Sequence, residues 1–188
     1  YTSGNDIVLS RVHKHDRVTG FWLPGKGRPV LVIGPEGAEA ALDSEIAKEV
    51  IRSGRPLLAV NLFAPDPVRS ARASTDTYFL SYNRSDDAER VQDIVTALMF
   101  LHAQTRAIPD LVGLGSTGIH SLFAAAVAPA EVNLIVDLNG FAGSDSDFLA
   151  RFFVPGIQHA GGLQAALRLA GSARATIPAD LQPASSSQ

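Results

Sequence analysis

The chain has 188 residues, of which 46% are apolar and 19% charged, with a formal net charge of -3. These proportions fit a globular α/β protein able to bury a core. They give no electrostatic case for nucleic acid, no apolar run near the ~20 residues of a membrane span, and, with no cysteine, no disulfide or thiolate metal site.

Ile7 to Val12 and Val18 to Leu23 read as strands around the turn His13-Lys14-His15-Asp16, an opening hairpin. Pro29 to Gly34 is a short, fully apolar strand, the pattern of a parallel sheet covered on both faces. Ser44 to Arg52 repeats Ile46, Ala47, Val50 and Ile51 at helical spacing, and Gly54 stops it. Pro56 to Leu62 is the next buried strand, and Ala64 to Ser74 is irregular. A long helix spans Asp86 to Thr105, with Asp86 and Glu89 as a capping-box-like start. Leu111 to Leu114 is a strand, Ile119 to Val127 a helix and Val132 to Asp137 another strand. Helices near Asp145 to Phe153 and Leu163 to Ala170 flank a break at Pro155-Gly156.

This alternation predicts an α/β fold: a mostly parallel sheet with helices on both faces and an N-terminal antiparallel hairpin. Residues 1–180 are expected to form a single domain and residues 181–188 a flexible tail. The chain opens at Tyr1 with neither an initiator Met nor a signal-like segment, so it is expected to be processed, trimmed or part of something larger.

The stretch Gly113-Leu114-Gly115-Ser116-Thr117-Gly118 joins a strand to a helix of small residues. Such a turn presents backbone N–H groups at a helix N-terminus, where negative charge is stabilised. Gly113, Gly115 and Gly118 satisfy the G-x-G-x-x-G pattern of a dinucleotide-binding domain, with Asp137 placed for a ribose. That fingerprint normally opens its domain, whereas more than half of this chain precedes it. The alternative is a nucleophile elbow, G-x-S-x-G. Ser116 as nucleophile puts the large Leu114 where a small residue is needed, while the better register puts Gly115 at the nucleophile position. A third reading gives these glycines only a packing role.

Chain order allows Ser116, Asp137 and His159 to serve as nucleophile, acid and base. The matching oxyanion donors are Thr117 and a residue among Pro35, Glu36 and Gly37, with Gly37 the choice; the Glu36 charge would oppose them. His120 follows Ser116 on the same helix and is expected in a helix–sheet contact or at solvent. Asp86 and Asp87, with Glu89 and Arg90, read as a solvated capping face. His13 and His15 share one side of a strand but lack a third metal ligand.

The segments Tyr78 to Leu98, the turn just described, Val136 to Phe141 and Pro155 to Gly162 together resemble bacterial α/β-hydrolases of the acetyl xylan esterase and dienelactone-hydrolase-like group. The resemblance covers most of residues 17 to 170. It implies an α/β-hydrolase fold, ancestry in carboxylic ester hydrolysis, no cofactor, and an acyl ester or acetylated carbohydrate as the substrate class. It is compatible with a secreted or periplasmic location. Active members carry a serine at the elbow and an acid and histidine on later strands; here Gly115 or a displaced Ser116 stands at the turn, and the last strands are expected to be missing. The favoured expectation is therefore a domain that is non-catalytic alone, completed by a catalytic domain or a second copy. A small carboxylesterase using Ser116 is the alternative.

Overall fold

The computed structural model of the chain describes residues 5–14, 16–64, 84–171 and 175–176. Among these residues, seven strands form one sheet: β1 (Asp6–Leu9), β2 (Val18–Leu23), β3 (Val30–Ile33), β4 (Leu57–Val60), β5 (Asp110–Gly113), β6 (Asn133–Val136) and β7 (Ala175–Thr176). Their spatial order is β1-β2-β4-β3-β5-β6-β7. β1 and β2 pair antiparallel, as does β2 with β4, and every later pairing is parallel. The predicted hairpin and the predicted parallel sheet are both present.

Apolar strand sequences give this sheet its two dry faces. In register across four strands, Leu58, Leu31, Leu111 and Leu134 form a row on one face. One residue along, Ala59, Val32, Val112 and Ile135 form the row on the opposite face. Successive side chains alternate between faces, so a sheet covered on both sides must be apolar at every position.

Among the described residues, six helices cover the sheet: α1 (Ala38–Leu42), α2 (Glu45–Arg52), α3 (Asp86–Thr105), α4 (Thr117–Val127), α5 (Asp145–Arg151) and α6 (Gly162–Leu169). Ala38, Ala41, Ala47 and Val50 of α1 and α2 pack on the Val32 row. Residues of α3, α4 and α6, among them Ile94, Leu101, Leu122 and Leu163, pack on the Leu31 row. The sequence reading missed α1, a five-residue helix whose first N–H groups need an outside acceptor; Asn61 Oδ1 accepts from Ala38 N–H at 2.8 Å. The start of α3 also differs in detail, since Ser85 rather than Asp86 caps it by accepting from Ala88 N–H. β1 stops at Leu9, not Val12, because Arg11 turns to pair with Asp16 and His13 takes φ 62 in the turn. His15, most of the expected irregular segment from Ala64 to Ser74, and the tail 181–188 lie outside the described residues.

The amino end of the sheet is closed by charge. Asp110 opens β5 nearly buried, and Arg55, Arg28 (3.4 Å) and Asn133 Nδ2 (3.0 Å) all donate to its carboxylate. A buried carboxylate needs such partners, since losing one leaves an uncompensated charge. The carboxyl end is closed by close approach. α4 is buried from Thr117 to Ala125, and two glycines let it sit against the strands. A Cβ on Gly118 would lie 1.9 Å from the Asp137 carbonyl oxygen, and one on Gly113 would lie 2.5 Å from Ser121 Oγ.

At a helical glycine with room around it, alanine stabilises by up to about 1 kcal/mol. Gly118→Ala is expected to do the reverse, costing about 2 kcal/mol or more in urea unfolding, because α4 must lift from β6.

Candidate functional site

Loops at the carboxyl ends of β3, β4 and β5 meet the N-terminus of α4 and the end of α5 around an open cleft of about 780 Å³. Glu36, Phe63, Arg90, Ser116, His120 and Arg151 are among its lining residues. Ligands bind at this end of parallel sheets because helix N-termini and loops converge there.

The turn from β5 into α4 resolves the competing registers. Gly115 takes φ +53, the left-handed conformation that glycine adopts without steric cost, and it is exposed. A Cβ built on it would meet only the Pro35 ring, at 3.6 and 4.0 Å. The left-handed corner of the turn is therefore Gly115, where a Cβ would make only ordinary contact with Pro35. Ser116 follows at φ -64 and ψ -15, already helical, as the N-cap of α4, and its side chain makes no capping bond. The three glycines thus divide their roles: Gly113 and Gly118 admit a close helix, while Gly115 forms the corner.

The expected oxyanion donors are otherwise engaged. Thr117 N–H donates to Leu114 O at 3.2 Å, and Gly37 N–H donates to Gly34 O at 3.3 Å. The Thr117 hydroxyl is shared between the carbonyls of Leu114 (2.8 Å) and Ile33 (3.0 Å), tying the elbow to the end of β3. The unengaged donors lie one residue earlier in each loop. Among the described residues, the N–H groups of Glu36 and Ser116 take part in no hydrogen bond.

The three residues proposed from chain order are not brought together. Ser116 lines the cleft, whereas His159 is exposed and lines a separate depression beside Phe148 and Phe152. Asp137 Oδ1 accepts from Asn139 N–H at 2.6 Å in a local turn. The residues that do converge, His120 and Asp87, carried other expectations in the sequence. His120 is 6% exposed, and its Nε2 lies 2.8 Å from Asp87 Oδ1. Asp87 also accepts from Arg90 at 2.8 Å and from Phe153 N–H at 2.7 Å. Asp87 is thus no solvated capping residue, and His120 faces a helix–helix seam rather than the sheet. Phe152 packs edge-on against the imidazole, its centroid 5.4 Å away, and stacks on Phe123 at 4.3 Å. Burial alone would raise the Asp87 pKa, but the hydrogen bonds from His120 and Phe153 and the nearby positive charges hold it below the usual carboxylate range. Among the described residues, buried His120 Nδ1 has no hydrogen-bond partner. No sequence signal links Asp87 to His120, which are 33 residues apart on different helices.

On the other side of the cleft wall, Asp93 of α3 accepts from Phe63 N–H at 2.7 Å and so fixes the loop after β4. Desolvation, with Glu89 and Asp16 nearby, raises its pKa to about 6 despite that hydrogen bond.

No family model matches this sequence, and no curated protein does. Among solved structures, the chain is similar to a dienelactone hydrolase from Anabaena variabilis ATCC 29413, with a TM-score of 0.51 and 16% identity. The match covers 70% of this chain and 61% of that one, so the chain spans about three-fifths of that protein's length. The likeness is one of fold, and it agrees with the strand order and the antiparallel hairpin: the architecture is that of an α/β-hydrolase. Its strand order also differs from the 3-2-1-4-5-6 order of classic dinucleotide-binding sheets.

Because the Asp93 pKa is raised on folding, this group favours the folded state most when protonated. Its contribution is full below the unfolded value near 4 and is lost as pH rises through about 6. Asp93→Asn is expected to remove a fall on the order of 2–3 kcal/mol in unfolding free energy between about pH 4 and pH 7. An unchanged slope in the variant would show that Asp93 is not the titrating group.

Proposed function

We propose that this chain is an α/β-hydrolase-fold domain of ester-hydrolase ancestry that binds small ligands in its cleft without cleaving them. The observation that carries this reading is Gly115: the one position in the turn with elbow geometry and open space above it has no side chain to attack with. Ser116, one residue on, sits in the first helical turn, rotated by about 100° from the corner position. A nucleophile misplaced by that much loses the alignment on which attack depends. Neither Asp137 nor His159 lines the cleft with Ser116, so its hydroxyl has neither the acid nor the base expected for it. Where hydrolysis accompanies this domain, the reading assigns it to a catalytic domain in a larger protein or assembly, and gives a second copy only the role of completing the sheet. Acyl esters and acetylated carbohydrates then supply the ligand chemistry, bound here and cut elsewhere.

The competing reading, a small esterase working through Ser116, draws on that hydroxyl's exposure at a helix N-terminus. Treatment with a fluorophosphonate probe, followed by intact-mass analysis of the chain and its Ser116→Ala variant, separates the two. Neither protein is expected to gain the adduct mass. An adduct on the unaltered chain that the variant loses would establish an activated serine and replace the binding reading with the esterase.

A further inference from the structure

The turn that follows β6, Leu138 to Phe141, is built around Asn139 and Gly140. Phe141 N–H donates to Leu138 O at 2.9 Å and closes it. Both central residues take positive φ, 49 at Asn139 and 70 at Gly140, the mark of a type I′ turn, which Asn-Gly adopts with little steric cost. Both are exposed. Among the described residues, neither the Asn139 side-chain amide nor the Gly140 N–H takes part in a hydrogen bond. A Cβ built on Gly140 would meet nothing within 4 Å. An amide carbon and the next backbone nitrogen are thus neighbours along the chain, with neither engaged and no side chain to keep them apart.

The two ends of the same turn hold a cleft residue. Arg151 donates to Leu138 O at 3.3 Å, and its guanidinium lies over the Phe141 ring, 5.6 Å from the centroid. Arg151 lines the cleft beside Ser116 and His120. The spacing of Leu138 and Phe141 across the turn therefore sets where this cation sits.

We infer that Asn139 is a modification site: in the folded chain its side-chain amide is lost to give aspartate and isoaspartate, and the isoaspartate form frees Arg151 from its seat at the cleft wall. The Gly140 nitrogen attacks Asn139 Cγ. The N–Cγ bond forms, the Cγ–Nδ2 bond breaks, and the proton from the Gly140 nitrogen leaves with the amide as ammonia. Solvent water then opens the cyclic imide. Breaking the new N–Cγ bond restores the ordinary chain as aspartate. Breaking the bond from the Gly140 nitrogen to the Asn139 backbone carbonyl carbon leaves isoaspartate, whose chain runs on through Cβ and Cγ. Attack requires rotation about the Asn139 Cα–C bond, which an exposed turn reaches by local opening. Holding nucleophile and carbon in adjacent residues supplies the rest of the rate.

The isoaspartate link adds one carbon to the backbone between Leu138 and Phe141. The turn lengthens, and the carbonyl and ring that hold Arg151 no longer face it together. Other asparagines are protected. Asn61 is followed by Leu62 and Asn133 by Leu134, whose side chains obstruct the attack. Asn61 is also bound to Ala38 N–H (2.8 Å) and Thr19 Oγ1 (3.0 Å), and Asn133 to Asp110 (3.0 Å).

The test ages the unaltered chain at mildly alkaline pH, with its thermal transition followed to confirm that it stays folded. Peptide mass mapping then locates the lost amides, and electron-transfer fragmentation tells isoaspartate from aspartate. Asn139 is expected to convert faster than Asn61 or Asn133 by roughly tenfold or more. In ¹⁵N spectra, the purified isoaspartate form should show the Arg151 Nε–H signal displaced from its position in the fresh protein. Asn139→Gln, whose longer side chain closes the ring less readily, should keep both its amide and its Arg151 signal over the same period; if that variant does not fold, fresh and aged samples of the unaltered chain decide. Conversion at Asn139 no faster than at Asn133, or only after the chain has unfolded, would overturn the modification site. An isoaspartate form whose Arg151 signal has not moved would overturn its link to the cleft.

Discussion

The seating of α4 on the sheet is the constraint from which the rest of the site follows. Gly118 brings the helix backbone against the Asp137 carbonyl, and Gly113 leaves room for Ser121. With no side chain between helix and strands, α4 starts directly at the rim; the N–H groups of Thr117 and Gly118 turn back to Leu114 and Gly115, and that of the N-cap Ser116 is left unengaged. That depth also buries His120 and aligns it with Asp87 on α3. A helix seated farther out would leave His120 in solvent and the turn at Gly115 relaxed.

The same seating separates scaffold from chemistry. The corner residue keeps the left-handed conformation that a nucleophile elbow requires, yet it carries no nucleophile. In an active elbow the side chain at that corner makes the strain useful. Glycine adopts the conformation without strain, so here the corner costs little and serves as space. What remains at the rim is a set of donors: two backbone N–H groups, an unbonded serine hydroxyl and an imidazole braced by Asp87. On the binding reading proposed above, such a set serves to hold a hydrogen-bond-accepting group.

The sheet was legible in the sequence because its central strands β3 and β4 are apolar at every position, the pattern of parallel strands covered on both faces. Pro29 to Gly34 and Pro56 to Leu62 stand out as buried strands before any pairing is known, whereas the row of Leu31, Leu58, Leu111 and Leu134 emerges only from the register. The helix over Ser44 to Arg52 was legible for the same kind of reason, since Ala47 and Val50 repeat at its period. α1 was not, because five residues give no period and its cap, Asn61, comes from β4's end. At the site, the register of the turn stayed ambiguous: φ at Gly115 decides it, and a string of glycines does not encode which one turns left. Asp87 and His120 were hidden for a different reason. Local rules assign Asp87 to a helix start, which it is, and cannot see that a histidine from another helix arrives there. The engagement of the Thr117 and Gly37 N–H groups in turn hydrogen bonds was equally invisible, because it depends on the loop conformations.

The account stands on Gly115, not Ser116, holding the corner of the turn. The intraresidue amide-to-Hα NOE at Ser116 reads this directly, since it is much stronger for a positive φ than for a helical one. A weak NOE at Ser116, with the amide pattern of a helix continuing into Thr117, is the expected result. A strong one would put Ser116 in the left-handed corner, aim its hydroxyl at the cleft as a nucleophile, and contradict the binding account at its root.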